Sequence, residues 1–150
     1  MKQNLIIITG PTAVGKSEIS IMVAKKLNCE IISTDSAQVY KYMDIGTAKL
    51  NKKDMNGVKH YMIDEVLPDE TFSVAMFRDK AEEYITKIAK QNKIPMLVGG
   101  TGLYINSLLN NLDFTSSIID EDYREDLRNL AIEKGNIYLH NLLKEIDPRS

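Results

Sequence analysis

Apolar residues follow two alternating rhythms along this chain. Leu5-Ile6-Ile7-Ile8-Thr9 and Pro95-Met96-Leu97-Val98 are short, nearly continuous apolar runs, the pattern of strands buried on both faces. Glu30-Ile31-Ile32-Ser33 reads as a second short strand, and Tyr61-Met62-Ile63 as another ahead of Pro68. Between these runs the spacing becomes helical. Ile19, Met22, Val23, Ala24 and Leu27 fall on one predicted face. Ser73 reads as the cap of a helix whose Val74, Phe77, Ala81, Ile85 and Ile88 face a core. Leu103, Ile105, Leu108 and Leu109 mark a third helix. Beyond a loop from Asp113 to Ile119, one further helix carries Tyr123, Leu127, Leu130 and Ala131, and a last one Leu139, Leu142, Leu143 and Ile146. Residues 40 to 60 hold turn signals (Asp44, Gly46, Asn56-Gly57) and read as loop with short helical pieces. Strands alternating with helices predict an α/β fold, a parallel sheet with helices on both faces.

The polar punctuation carries the chemistry. Gly10-Pro11-Thr12-Ala13-Val14-Gly15-Lys16-Ser17 fits G-x-x-x-x-G-K-[ST] and sits between the first strand and the first helix, the context that turns a pattern into a P-loop. Such a turn points successive N–H groups inward at a helix N-terminus and forms an anion nest. Lys16 adds a point charge for phosphate oxygens, and the Ser17 hydroxyl is placed to hold Mg²⁺. The fold expectation becomes a P-loop NTPase-like sheet that grips a diphosphate or triphosphate.

In open α/β sheets ligands lie outside the carboxyl ends of the strands. Asp35-Ser36-Ala37-Gln38 follows the second strand and Gly99-Gly100-Thr101-Gly102 follows the Pro95–Val98 strand, so both should meet the phosphate loop in one crevice. Asp35 is the candidate base, or else a turn or helix-cap aspartate. The Thr101 hydroxyl is placed to stabilise a leaving-group oxygen, or to cap the Leu103–Leu109 helix, or to do both. Gln38 has an amide able to pair with an adenine edge. His60 reads as a loop residue rather than a catalyst, and Tyr40, Tyr61 and Tyr104 as apolar packing rather than stacking platforms.

Bulk properties narrow the rest. With 150 residues, one domain is expected, and 43% hydrophobic and 27% charged residues are ordinary for a globular chain. No apolar run approaches a membrane span, and the single cysteine, Cys29, excludes an internal disulfide or a cysteine zinc cluster. The expected compartment is the cytoplasm and the expected state a monomer. Net charge is only −2, but Lys41, Lys49, Lys52, Lys53 and Lys59 cluster, either as a solvated loop or as a surface for RNA phosphates. Arginines number four (Arg78, Arg124, Arg128 and Arg149), with no compact arginine-bearing lid of the kind a small P-loop kinase uses.

Taken together, Gly10–Ser17, Asp35-Ser36-Ala37-Gln38-Val39-Tyr40, Asp44-Ile45-Gly46-Thr47-Ala48-Lys49 and Val98-Gly99-Gly100-Thr101-Gly102-Leu103-Tyr104 resemble the tRNA dimethylallyltransferase family in order and spacing. The resemblance implies transfer of a dimethylallyl group from dimethylallyl diphosphate to N6 of an adenine next to the tRNA anticodon. It implies a phosphate loop that cradles the diphosphate with Mg²⁺ at Ser17, Asp35 as catalytic base and Thr101 at the bridging oxygen. It also implies tRNA contacts from Asp35, Ser36, Ala37, Gln38, Thr101 and Arg124. Members of that family run to about twice this length, so the chain is expected to be the front part of a longer protein, with most of the inserted helical tRNA-binding domain absent. The alternatives are a small-molecule P-loop kinase and an inactive, truncated nucleotide-binding module.

Overall fold

The computed structural model describes residues 4–110 and 120–149, and the loop expected from Asp113 to Ile119 lies outside them. Four strands among the described residues form one parallel sheet: β1 (Ile6–Thr9), β2 (Cys29–Ser33), β3 (His60–Tyr61) and β4 (Ile94–Gly99). The strand order is β1-β4-β2-β3, with Ile7 opposite Leu97, Ile32 opposite Leu97 and Ile31 opposite His60. This register brings the carboxyl ends of β1, β2 and β4 to one edge. Each strand lies within a residue or two of its expected position. The exception is β3, which forms at His60–Tyr61 because Met62 turns into the left-handed region (φ 62) and ends the extended run.

Helices cover both faces. On one side α2 (Val74–Lys90) and α3 (Gly102–Leu109) bury Phe77, Ala81, Ile88 and Tyr104 against Ile32 and Leu97. The Phe77 and Tyr104 rings stack there at 4.1 Å. Ser73 caps α2 as expected, its hydroxyl accepting from the Met76 N–H at 3.2 Å. On the opposite side α1 (Lys16–Leu27) packs Ile21 and Ala24 on Cys29, Ile31, Met96 and Val98.

The expected apolar face of α1 requires correction. Ser20, Ile21 and Ala24 are its buried positions, whereas Ile19, Met22 and Leu27 are about half exposed. The helix meets the sheet through Ile21 flanked by the small Ser20 and Ala24, and β1, at the sheet edge, is only half-buried. In α3, likewise, Tyr104, Ile105 and Ser107 are buried while Leu103 and Leu109 face outward. A helix whose two sides are both apolar does not reveal its buried side by periodicity alone.

Residues 1–113 form one compact unit and residues 114–150 a second. The second unit is a pair of packed helices, α4 (Glu121–Lys134) and α5 (Asn136–Ile146), joined through Gly135 at φ 85. Asp120 caps α4 by accepting from the Tyr123 N–H at 2.9 Å. Within this pair Leu127, Leu130, Ala131, Leu139 and Leu142 are half-buried, while Tyr123, Leu143 and Ile146 stay exposed.

Candidate active site

The three strand-end segments meet around a chamber of about 630 Å³ in the first unit. From the phosphate loop it is lined by Gly10, Pro11, Thr12, Ala13, Gly15, Lys16 and Ser17; Val14, half exposed, stands outside the lining. Gly15 adopts φ 81 as the N-cap residue of α1, a left-handed conformation that favours glycine and aims the first helical N–H groups into the turn. Lys16 Nζ donates to the Pro11 carbonyl at 2.5 Å, so the ammonium lies folded over its own loop. Ser17 lies in the first turn of α1 beside it.

Asp35 and Thr101 face this loop from the ends of β2 and β4. Asp35 Oδ1 accepts the N–H groups of Ala37 (2.9 Å) and Gln38 (3.3 Å), so one carboxylate oxygen has the capping role that the sequence left open. No hydrogen bond among the described residues engages Oδ2, the oxygen left to a ligand. Thr101 stands at the N-cap of α3 without capping it through its side chain. Its Oγ1 instead accepts the Ser36 N–H at 3.2 Å, across 65 residues of sequence, and keeps its own proton to donate. The capping alternative for Thr101 is therefore absent from the structure.

Close backbone approach sets this geometry. A Cβ on Gly99 would lie 2.4 Å from Thr34 Oγ1 and under 3 Å from the Thr34 backbone. Only glycine lets β4 run this close to the end of β2, where the Thr34 carbonyl then accepts the Thr101 N–H at 3.2 Å. Among the described residues, no group hydrogen-bonds the buried Thr34 Oγ1.

Gln38 also lines the chamber, held on both sides: Ser33 Oγ donates to Oε1 at 3.3 Å, and Nε2 donates to the Thr47 carbonyl at 3.1 Å. One Nε2 proton and one Oε1 lone pair remain. Ser36 lines the chamber as well, while Ala37 contributes its N–H to Asp35 and stays outside the lining. Arg124 belongs to α4 in the second unit, where Nη1 meets Glu121 Oε1 at 3.3 Å.

Several lining residues escaped the sequence reading. Ile31, Ser33, Thr47, Leu50 and His60 also line the wall. His60, expected in a loop, sits in β3. Its Nδ1 lies 2.9 Å from the Val58 carbonyl, which only accepts, so Nδ1 carries the proton and Nε2 is left as an acceptor. Burial pushes the His60 pKa below its ordinary value, against the weaker opposing pull of that bond, and the neutral ring is favoured. Nothing in the local sequence signals this, because β3 reaches the chamber only through pairing with β2. Within the lysine cluster Lys52, Lys53 and Lys59 are exposed, whereas the Lys49 side chain is buried (4% exposed).

No group of three or more His, Cys, Asp or Glu side chains gathers for a metal among the described residues. A Mg²⁺ ion here would share phosphate oxygens and water with the Ser17 hydroxyl, a donor set that suits an ion that keeps several waters. Likewise, no helix among the described residues is long and apolar enough to cross a membrane.

Comparison with known proteins gives the same answer throughout the chain. The family model for IPP transferase matches residues 38–150. A tRNA dimethylallyltransferase of Acetivibrio thermocellus is 56% identical over 147 residues, which are 98% of this chain and 47% of the relative. One of Clostridioides difficile is 56% identical over 146 residues, 97% of this chain and 47% of the relative. Among solved structures, a full-length tRNA isopentenylpyrophosphate transferase from Bacillus halodurans superposes with TM-score 0.76 at 49% identity, covering 99% of this chain and 49% of the other. A eukaryotic dimethylallyltransferase acting on tRNA superposes with TM-score 0.76 at 31% identity, covering 98% and 36%. This chain thus spans about half the length of the curated relatives it matches. With the family model matching three quarters of its residues, relatives 56% identical along nearly its whole length, and the P-loop NTPase-like parallel sheet of the superposed structures, the chain belongs to the IPP transferase family.

Proposed function

We propose that this chain carries the chemical centre of a dimethylallyl transfer from dimethylallyl diphosphate to N6 of an adenine beside the anticodon of tRNA. The observation that carries the reading is the convergence on one chamber of the phosphate loop, Asp35 with its uncommitted Oδ2, and the Thr101 hydroxyl with its uncommitted proton. Relatives named for this activity support it over a small-molecule kinase.

In this reading the diphosphate lies in the N–H nest of Gly10–Ser17, and Lys16 leaves the Pro11 carbonyl to meet its oxygens. Mg²⁺ held with Ser17 would offset charge on the leaving diphosphate. The adenine, extruded from its stack, enters between Asp35 and Gln38. As the N6 lone pair forms the new C–N bond, the C–O bond breaks and its electron pair leaves with the bridging oxygen. Thr101 donates to that oxygen as charge develops, an interaction stronger in the transition state than before it. Asp35 Oδ2 takes the proton from N6. The remaining Gln38 donor and acceptor match the paired acceptor and donor on an adenine edge. Ser36, Ala37 and Arg124 complete the proposed RNA contacts. Lys52 and Lys53 are the exposed cations for its phosphates, a role the buried Lys49 cannot fill. The chain acts in the cytoplasm and as a monomer on this proposal.

The test follows labelled dimethylallyl diphosphate into unmodified tRNA with Mg²⁺. Label on N6 of an anticodon-loop adenine is the expected result. Phosphate transfer from ATP to a small acceptor, with no label on RNA, would overturn the reading. Running the assay in parallel on a chain of the relatives' full length separates an incomplete site from a mistaken one.

A further inference from the structure

The Lys49 ammonium is saturated. Its three N–H groups go to the Tyr40 carbonyl at 2.7 Å, Asp44 Oδ1 at 2.9 Å and Asp64 Oδ1 at 2.6 Å. An ammonium has three donors and no acceptor, so nothing is left for a phosphate. These partners lie on three separate segments: the run that leaves β2, the loop that follows it, and the turn after β3.

That turn is conformationally expensive, with Met62 at φ 62 and Asp64 at φ 56. It is fastened to the run after β2 by Asp64 N–H to the Gln38 carbonyl (3.2 Å), Glu65 N–H to the Val39 carbonyl (2.8 Å) and Lys41 N–H to the Val66 carbonyl (2.8 Å). The intervening loop is held differently. Its hydrogen bonds are mostly local: Ala48 N–H to Ile45, Lys49 N–H to Asp44, and Thr47 Oγ1 to the Met43 carbonyl. Among the described residues, its longer-range ties around Thr47 include the Lys49 side chain, the Leu50 side chain on the α1-side core, and the bond from Gln38 Nε2 to the Thr47 carbonyl. Its far end is anchored by Val58 in the same core and by Ile31 N–H donating to the Lys59 carbonyl at 2.9 Å.

The position of the Thr47 carbonyl therefore depends on Lys49, and the direction of the Gln38 amide depends on that carbonyl. A carbonyl only accepts, so it selects the amide orientation with Nε2 toward Thr47 and Oε1 toward Ser33. A loop free to shift would release this choice, because the Ser33 hydroxyl can donate or accept.

We propose that Lys49 is a positioning residue for Gln38: by drawing Tyr40, Asp44 and Asp64 onto one buried ammonium it fixes the chamber wall at Thr47, and so fixes which donor and acceptor of Gln38 face a bound base. Its consequence for turnover rests on the prenyl-transfer reading above; the clamp itself does not.

Two measurements test it. In the ¹⁵N–¹H spectrum of the chain, the Gln38 side-chain NH₂ pair should be displaced from the free-amide position, and Lys49→Met should move it back toward that position. Asp44→Asn removes one arm of the clamp at an exposed carboxylate (65% exposed) and endangers the fold least; it should move the same pair in the same direction by less. A Gln38 pair unmoved in a folded Lys49→Met, or unmoved in Asp44→Asn if Lys49→Met does not fold, overturns the proposal, whatever the chain does to RNA.

The second measurement uses an anticodon stem-loop RNA and dimethylallyl diphosphate. Lys49→Met should lower kcat/KM about tenfold, mainly through KM for RNA, with the affinity for inorganic diphosphate unchanged. In a Gln38→Ala background the same change should add less than about twofold, because the residue it positions is gone. Losses that multiply in full would overturn the link to Gln38. Wild type that transfers nothing even at the relatives' full length refutes the prenyl-transfer reading alone, and the spectrum still decides the clamp.

Discussion

The two ends of the chamber are built by opposite means. At the phosphate end, one stretch of eight consecutive residues, Gly10–Ser17, carries the backbone N–H groups (all but that of Pro11), the Lys16 ammonium and the Ser17 hydroxyl, and the geometry follows from Gly15 at φ 81 and the start of α1. At the opposite end the groups are aimed by hydrogen bonds between separate residues, some near and some far in sequence: Asp35 by the N–H groups of Ala37 and Gln38, Gln38 by Ser33 and Thr47, Thr101 by Ser36, and the loop wall by Asp64 through Lys49. A backbone nest tolerates changes to most of its side chains, whereas a side-chain constellation fails one residue at a time.

The sharpest test of that difference is Asp35→Ala, which should lower turnover about 10³-fold while inorganic diphosphate binds as before. Comparable losses in both assays would mean that the two ends are not separate. Thr101→Ala should lower kcat about 10²-fold with little change in KM, since its proton matters most once charge develops. A change confined to KM would reassign Thr101 to substrate binding.

Gly99→Ala attacks the seam between β2 and β4 rather than either end. The added methyl meets Thr34 Oγ1 at 2.4 Å and the Thr34 backbone at 2.8 Å. A loss of about 2 kcal/mol in urea unfolding is expected, with Thr34→Ala partly restoring it. No loss would show that β4 can draw back without harm to the fold.

Acid should weaken the first unit through two buried or half-buried carboxylates away from the chamber. Burial alone would raise the Glu30 pKa, but hydrogen bonds from Lys93 (2.7 Å) and Tyr61 (2.7 Å) outweigh it and hold the carboxyl below its ordinary value of 4.5. Lys80 and Tyr84 do the same for Glu65. A depressed folded pKa gives stability that is present above the unfolded value and is lost as pH falls through the folded one. The melting temperature should hold down to about pH 5 and then fall, and Glu30→Gln should flatten that fall. Smallest of all, Lys52→Ala with Lys53→Ala should reduce the slope of log affinity for RNA against log salt by about 1.5 to 2, roughly one for each lost phosphate contact. An unchanged slope would leave these lysines as ordinary solvated side chains.

How far each region was legible in sequence follows the same division. The phosphate loop, the α2 cap at Ser73 and the strands could be read because each is specified within a dozen residues by pattern and turn chemistry. The buried side of α1 could not, since Ile19 and Met22 are as apolar as Ile21 and only the sheet position chooses between them. Lys49 read as one of a basic cluster because charge patterning cannot see Asp64, fifteen residues away and brought close by the turn after β3. His60 read as a loop residue for the same reason.

What the sequence determined by itself is the class of the fold, the phosphate-loop turn between β1 and α1 and the identity of the residues at three strand ends, because local backbone preference and spacing encode them. The tertiary structure alone decided which oxygen of Asp35 is committed, that Thr101 accepts from Ser36 instead of capping α3, and that Lys49 faces two carboxylates rather than solvent. Those outcomes depend on hydrogen bonds between segments up to 65 residues apart, whose geometry exists only after the sheet has assembled.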